Sequence, residues 1–132
     1  SALGMLRTVR EKLVKYDSIL LEWADGKPDG ITAEMLSKAY DIGDMAEVET
    51  LHETGEILGY GLVNVINLYN PESLIIGGCM SGAGERLLKT ARKVVEGRAL
   101  KLPKSVCSLE LAELGGRAGM YGAAVFAQTQ MK

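Results

Sequence analysis

Gly77, Gly78, Cys79, Met80, Ser81 and Gly82 follow the apolar run Leu74, Ile75 and Ile76 and lead into the helix-forming stretch AGERLLKTARKVV. That order predicts a strand, a glycine-rich corner and a helix start. A helix start presents backbone N–H groups and the positive end of the helix dipole, and glycine lets a ligand approach the backbone closely. A nucleotide or a sugar phosphate suits such a seat. The same pattern also describes a tight strand-to-helix turn whose glycines serve only to reach positive φ. The six residues are therefore candidates for cofactor binding.

Other side chains offer less. Gly116 and Gly119 could line the same crevice, although a helix start and close helix packing also explain them. His52 stands mid-helix with no nucleophile or carboxylate pair placed to use it, which predicts a surface residue. Glu72 beside Pro71 reads as a turn carboxylate. Arg86, Lys89, Arg92 and Lys93 read as a solvated helix face, and Trp23 as a core anchor. Cys79 and Cys107, joined only by His52, show no C-x-x-C or H-x-x-x-H spacing. Two reduced thiols and no metal site are expected.

Apolar spacing supplies the elements that must hold the corner. Leu3, Leu6, Val9, Leu13 and Tyr16 predict a helix over residues 2–16. Ile19, Leu20, Leu21 and Trp23 predict a further helical turn, and the DGKPDG sequence over 25–30 a break. Thr32 can cap a helix over 33–40. Asp44 opens the longest helix, with Glu47 three residues on as a capping box. Its stripe is Met45, Val48, Leu51, Leu58, Leu62, Ile66 and Tyr69, and beyond Leu58 the rest of the helix also turns apolar, which predicts deep burial. Gly55, Gly59 and Gly61 interrupt it and point to close approach of a neighbouring backbone.

Pro71 ends that helix and biases Asn70 away from α geometry. A wholly apolar strand over 74–76, buried on both faces, is expected next. A helix over 84–98 follows, with Leu87, Leu88, Ala91, Val94 and Val95 inward. A turn over 102–104, a strand over 105–111 and a last helix over 118–130 complete the order. A helix between two strands implies a parallel pair.

The 132 residues suit one domain and are 47% hydrophobic with a net charge of −2. That charge leaves no footprint for nucleic acid or a polybasic membrane surface. No apolar stretch reaches a bilayer-spanning length and no secretory signal appears, so a cytoplasmic protein is expected. Two strands make a thin sheet for so much apolar helix surface. The chain reads as part of a domain, or as a protomer of a homo-oligomer.

The segment LGYGLVNVINLYNPESLIIGGCMSGAGERLL resembles the C-terminal half of the ROK family, which comprises repressors, unassigned reading frames and sugar kinases. The family has a long helix, an Asn-Pro-Glu turn, a strand of the V-I-I-G-G-G type, a Gly/Ser loop and a Leu-rich helix. LGGRAGMYGAA at 114–124 is similar to its L-G-x-x-A-G-x-x-G-A-A run. AYDIGDMAEVETLHETGEILG is similar to its A-x-x-G-D-x-x-A lead into the long helix. The resemblance covers residues 39–127, and Cys79 departs from it where family members mostly carry a third glycine.

The resemblance implies a partial ribonuclease H-like fold, the C-terminal lobe of the actin- and hexokinase-like ATPases, with two parallel strands and flanking helices. Residues 1–43 would be a helical lead-in and 44–132 the core. In an intact family kinase ATP, with Mg, and a sugar bind between two lobes. The resemblance thus places Gly77, Gly78, Cys79, Met80, Ser81 and Gly82 at the nucleotide and supplies a missing N-terminal lobe as partner. The family's D-x-G-G-T phosphate loop, catalytic Asp, E-x-G-H sugar motif and C-x-C-G-x-x-G-C zinc segment have no counterpart here. The chain alone is expected to catalyse nothing and to bind no cofactor tightly. The alternative is the effector-sensing, dimerising half of a ROK transcriptional repressor, with no direct nucleic-acid contact from this segment; a free-standing interaction module is a third reading.

Overall fold

Met5 and Val9, four apart, give the first helix an apolar side, and both are buried. In the computed structural model, which describes residues 2–78 and 83–131, this helix is α1 (Ala2–Lys12). Bonds from Leu13 N–H to the Val9 carbonyl (3.0 Å) and from Tyr16 N–H to the Lys12 carbonyl (3.0 Å) extend the turn beyond it. The Ser18 hydroxyl accepts from Leu20 N–H and caps α2 (Ile19–Trp23). Pro28–Gly30 form a 3₁₀ turn. The Thr32 hydroxyl accepts from Met35 N–H and caps α3 (Ala33–Asp41).

Asp44 caps α4 (Met45–Tyr69), its Oδ1 accepting from Glu47 N–H at 3.2 Å. The reciprocal half of the expected capping box does not form. Asp44 N–H is already taken by the Ala39 carbonyl at 2.9 Å, so Glu47 turns inward and is 2% exposed. Pro71 disfavours right-handed geometry in the residue before it, and Asn70 closes α4 in the left-handed region at φ 46°.

Strand β1 (Ser73–Ile76) pairs in parallel with β2 (Ser108–Leu111), Ser73 opposite Ser108 and Ile76 opposite Leu111. Between them lie α5 (Glu85–Arg98) and α6 (Lys101–Val106). A 3₁₀ turn, Gly115–Arg117, starts α7 (Ala118–Gln130).

Two hydrophobic clusters hold this together. One gathers α1, α2 and α3 with the first half of α4 and Leu87 of α5. The other joins Leu62, Val63, Ile66, Ala91, Val95 and Leu109 under the sheet. Leu58 packs against both. α4 and α5 touch closely because glycine leaves room. A Cβ on Gly55 would stand 2.8 Å from Thr90 Cβ, and one on Gly59 would stand 2.6 Å from Val94 Cβ. Gly61 faces open space, so the expected close approach holds for two of the three glycines.

The structure corrects several expectations. Residues 102–104 belong to α6, because Pro103 sits in a first helical turn, where a missing N–H goes unnoticed. The second strand consequently begins at Ser108. β1 is one-sided: Leu74 and Ile76 pack on the second cluster while Ile75 is 67% exposed. The later part of α4 is buried along a stripe only, with Leu68 and Tyr69 exposed. Trp23 is exposed rather than a core anchor. No described helix is long and apolar enough to cross a membrane.

Candidate functional site

Both parallel strands end on the same side, and that is where the chemistry-bearing glycines collect. β1 delivers Gly77 and Gly78; β2 delivers Ala112 and the turn Gly115–Arg117. Ala112 N–H donates to the Ile76 carbonyl at 2.9 Å and extends the ladder to the corner. A Cβ on Gly77 would meet Ala112 Cβ at 3.5 Å, so the two strand exits lie side by side. Gly78 has φ +87° and Gly115 φ +52°, left-handed conformations that glycine adopts without strain.

Each strand exit feeds a helix start. Gly84 precedes α5 at φ +59° with no side-chain cap, and its carbonyl accepts from Leu87 N–H at 3.2 Å and Leu88 N–H at 3.3 Å. Glu85 in that first turn pairs with Arg92 at 3.2 Å. The second start is that of α7. Open sheets bind ligands outside the carboxyl ends of parallel strands, where helix dipoles converge.

Arg86 positions the α5 start. It forms an ion pair with Asp41, its Nη1 donates to Ser37 Oγ at 3.3 Å, and its guanidinium lies 5.1 Å from the Tyr40 ring centre. The expected solvated face is therefore correct for Lys89, Arg92 and Lys93, which are exposed; Arg86 instead ties α5 to α3. Cys79, Met80, Ser81 and Gly82 lie outside the described residues. Among the described residues Gly116 and Gly119 would find no neighbour within 4 Å of an added Cβ, so close helix packing within this chain does not explain them. Gly115, which sequence reasoning passed over, carries the positive φ.

His52 is a surface residue as expected, its Nδ1 3.9 Å from Glu56. Both lie in a shallow groove between α4 and α5, away from the corner, where the Arg98 guanidinium stands 5.1 Å from the Tyr60 ring centre. Glu72 is exposed, and its carbonyl accepts from Ser108 N–H. Cys107 is a free thiol whose pKa burial raises. Among the described residues no group of three His, Cys, Asp or Glu side chains could hold a metal ion. Among the described residues the two strand exits bring together Gly77, Gly78, Ala112 and Gly115, whose backbone groups are what the corner presents.

A two-stranded parallel sheet with flanking helices and glycine turns at both strand exits is the partial ribonuclease H-like, actin- and hexokinase-like fold. The chain belongs to the ROK family, whose model matches residues 11–130. It superposes on a ROK family glucokinase from Streptomyces griseus, in complex with glucose and AMPPNP, with a TM-score of 0.86 and 29% identity, covering 98% of this chain and 43% of that one. It is 30% identical to a glucokinase of Halalkalibacterium halodurans over 92% of this chain and 37% of that protein. It is also 30% identical to a xylose repressor of Caldicellulosiruptor bescii over 89% of this chain and 29% of that protein. The chain therefore spans well under half the length of these relatives.

Proposed function

We propose that this chain is the C-terminal lobe of a ROK-type sugar kinase. It would contribute to ATP and sugar binding in an intact protein and be inactive alone. Residues 44–132 would form the core of the lobe and 1–43 its helical lead-in. Gly77 and Gly78, continuing through Cys79, Met80, Ser81 and Gly82, would face the nucleotide. ATP, with Mg, would supply the phosphoryl group; this chain would hold the nucleotide through backbone N–H groups at the corner. The observation that carries the reading is a strand exit with a positive-φ glycine, Gly78, leading to an α5 start that has no side-chain cap.

Incomplete burial supports the lobe reading. Residues 119–131 are all exposed, including Met120, Tyr121, Val125 and Phe126, and Ile75 stands uncovered on the outer sheet face. An apolar helix and half a sheet face are what a missing N-terminal lobe, or a second copy in a homo-oligomer, would cover. The second reading is the sensing half of a ROK repressor, because the xylose repressor is 30% identical over 89% of this chain, as similar as the Halalkalibacterium halodurans glucokinase.

Incubating the intact protein with ATP and a panel of aldoses separates the two. ADP release that depends on one aldose supports the kinase. Aldose binding without ADP release from any member of the panel overturns it in favour of the repressor.

A further inference from the structure

Glu47 is 2% exposed, and its Oε2 finds no hydrogen-bond partner. It sits in the first turn of α4, where the first hydrophobic cluster joins α1, α2 and α3 to that helix. The neighbouring carboxylate, Asp44, uses both oxygens as acceptors, from Glu47 N–H at 3.2 Å and from Ile19 N–H at 3.0 Å. Asp44 therefore ties α2 to the start of α4.

Among the described residues no cation on the surrounding elements pairs with Glu47. On α1, Lys12 Nζ lies 2.9 Å from Glu53 and 3.7 Å from Glu49, and just beyond it Lys15 Nζ lies 3.5 Å from Glu49. Arg7 pairs with Glu11, and Arg10 with Asp29. Glu22 of α2 is exposed. On α3, Lys38 pairs with Glu34, and Asp41 with Arg86 of α5. Burial, and secondarily the Asp44 charge, push the Glu47 carboxyl from 4.5 up to about 8.

We propose that Glu47 is a proton-operated latch: neutral, it seats the α1–α3 lead-in on the first turn of α4; ionised, it releases that lead-in. On ionisation the carboxyl O–H bond breaks and its proton passes to water. The carboxylate must then reach water, and its way out is the seam where the lead-in packs. The folded pKa lies above the unfolded one, so the closed seam is favoured most below pH 4.5 and weakens up to about 8. Within that window the opening constant rises about tenfold per pH unit, then levels off.

Hydrogen exchange of the chain between about pH 5.5 and 9, corrected for intrinsic rates, tests this. Amides of α1, α2 and α3, that of Ile19 above all, should open about tenfold more per pH unit up to about pH 8, while those of α5 and β2 stay level. Glu47→Gln should remove the slope. An equal slope in Glu47→Gln, a flat wild type, or the same slope in α5 and β2 would each overturn the latch. Should that variant fail to fold, a carbon-13 titration of the wild-type Glu47 carboxyl decides. A midpoint near 8 supports the latch, and one near 4.5 overturns it.

Discussion

Replacing Gly59 by alanine tests whether the α4–α5 seam is closed by glycine itself. The new Cβ would stand 2.6 Å from Val94 Cβ and 3.1 Å from the Ala91 carbonyl. Neither neighbour can turn away, because a Cβ and a carbonyl are fixed to their backbone. Restoring an ordinary contact of ~3.5 Å means parting the helices by about 1 Å. A gap of that size forfeits roughly a quarter to a half of each dispersion contact along the seam. Overpacking of this kind costs about 1–3 kcal/mol, and fixed neighbours put this site near the upper end. Alanine returns about 1 kcal/mol of helix propensity, which leaves a net loss of about 2 kcal/mol. Gly61, two residues on, faces open space. Gly61→Ala should therefore stabilise by about 1 kcal/mol. The two variants should differ by about 3 kcal/mol, roughly a hundredfold in the unfolding constant. Urea denaturation followed by circular dichroism measures both. A Gly59→Ala protein as stable as the wild type would refute the reasoning.

Asp44→Ala removes a helix cap and the Ile19 tie together and should cost about 1–2 kcal/mol in the same denaturation assay. Gly78→Ala forces a side chain to φ +87° and should cost about 1–2 kcal/mol, while Gly77→Ala, at an ordinary 3.5 Å contact, should leave stability nearly unchanged. If the corner faces nucleotide, both variants weaken ATP binding in the intact protein by calorimetry; an unchanged affinity in Gly77→Ala would mark the corner as a turn only. The chain alone should show no ATP binding by the same method, and micromolar affinity would contradict the half-site reading. Light scattering should find the chain self-associated through its uncovered apolar surface, and a compact, well-behaved monomer would count against the lobe reading.

Local rules made much of this fold legible. Ser/Thr/Asp caps, an Asn-Pro stop and three-four spacing mark where chain geometry changes, and Thr32, Asp44 and Asn70 do in the structure what their types predict. The glycine corner followed from the same logic, because strand and helix periods switch across it. What escaped the sequence was long-range. Spacing offered Glu47 as a capping residue, and only the competing Ala39 carbonyl shows why it turned inward. Arg86 looked like one more surface cation until α3 placed Asp41, Ser37 and Tyr40 beside it. Ile75 belonged to an apolar run, but one face of a strand stays open when no layer covers it.

The corner's geometry is also held from behind. Asn70 and Pro71 set where β1 begins, the Gly55 and Gly59 notches set how near α5 lies, and Arg86 anchors the α5 start to α3. All three reach the corner through α4 or α5, and Leu58 of α4 packs against both hydrophobic clusters. A change at the α1–α3 seam can therefore be felt at the strand exits through Arg86, through Leu87 of α5 in the first cluster, or through tilt of α4. Arg86→Ala cuts the first route while leaving the others intact. Combined with Glu47→Gln, it would show by exchange at Gly78 and Leu87 whether the lead-in and the corner move together. Additive effects would mean that they do not.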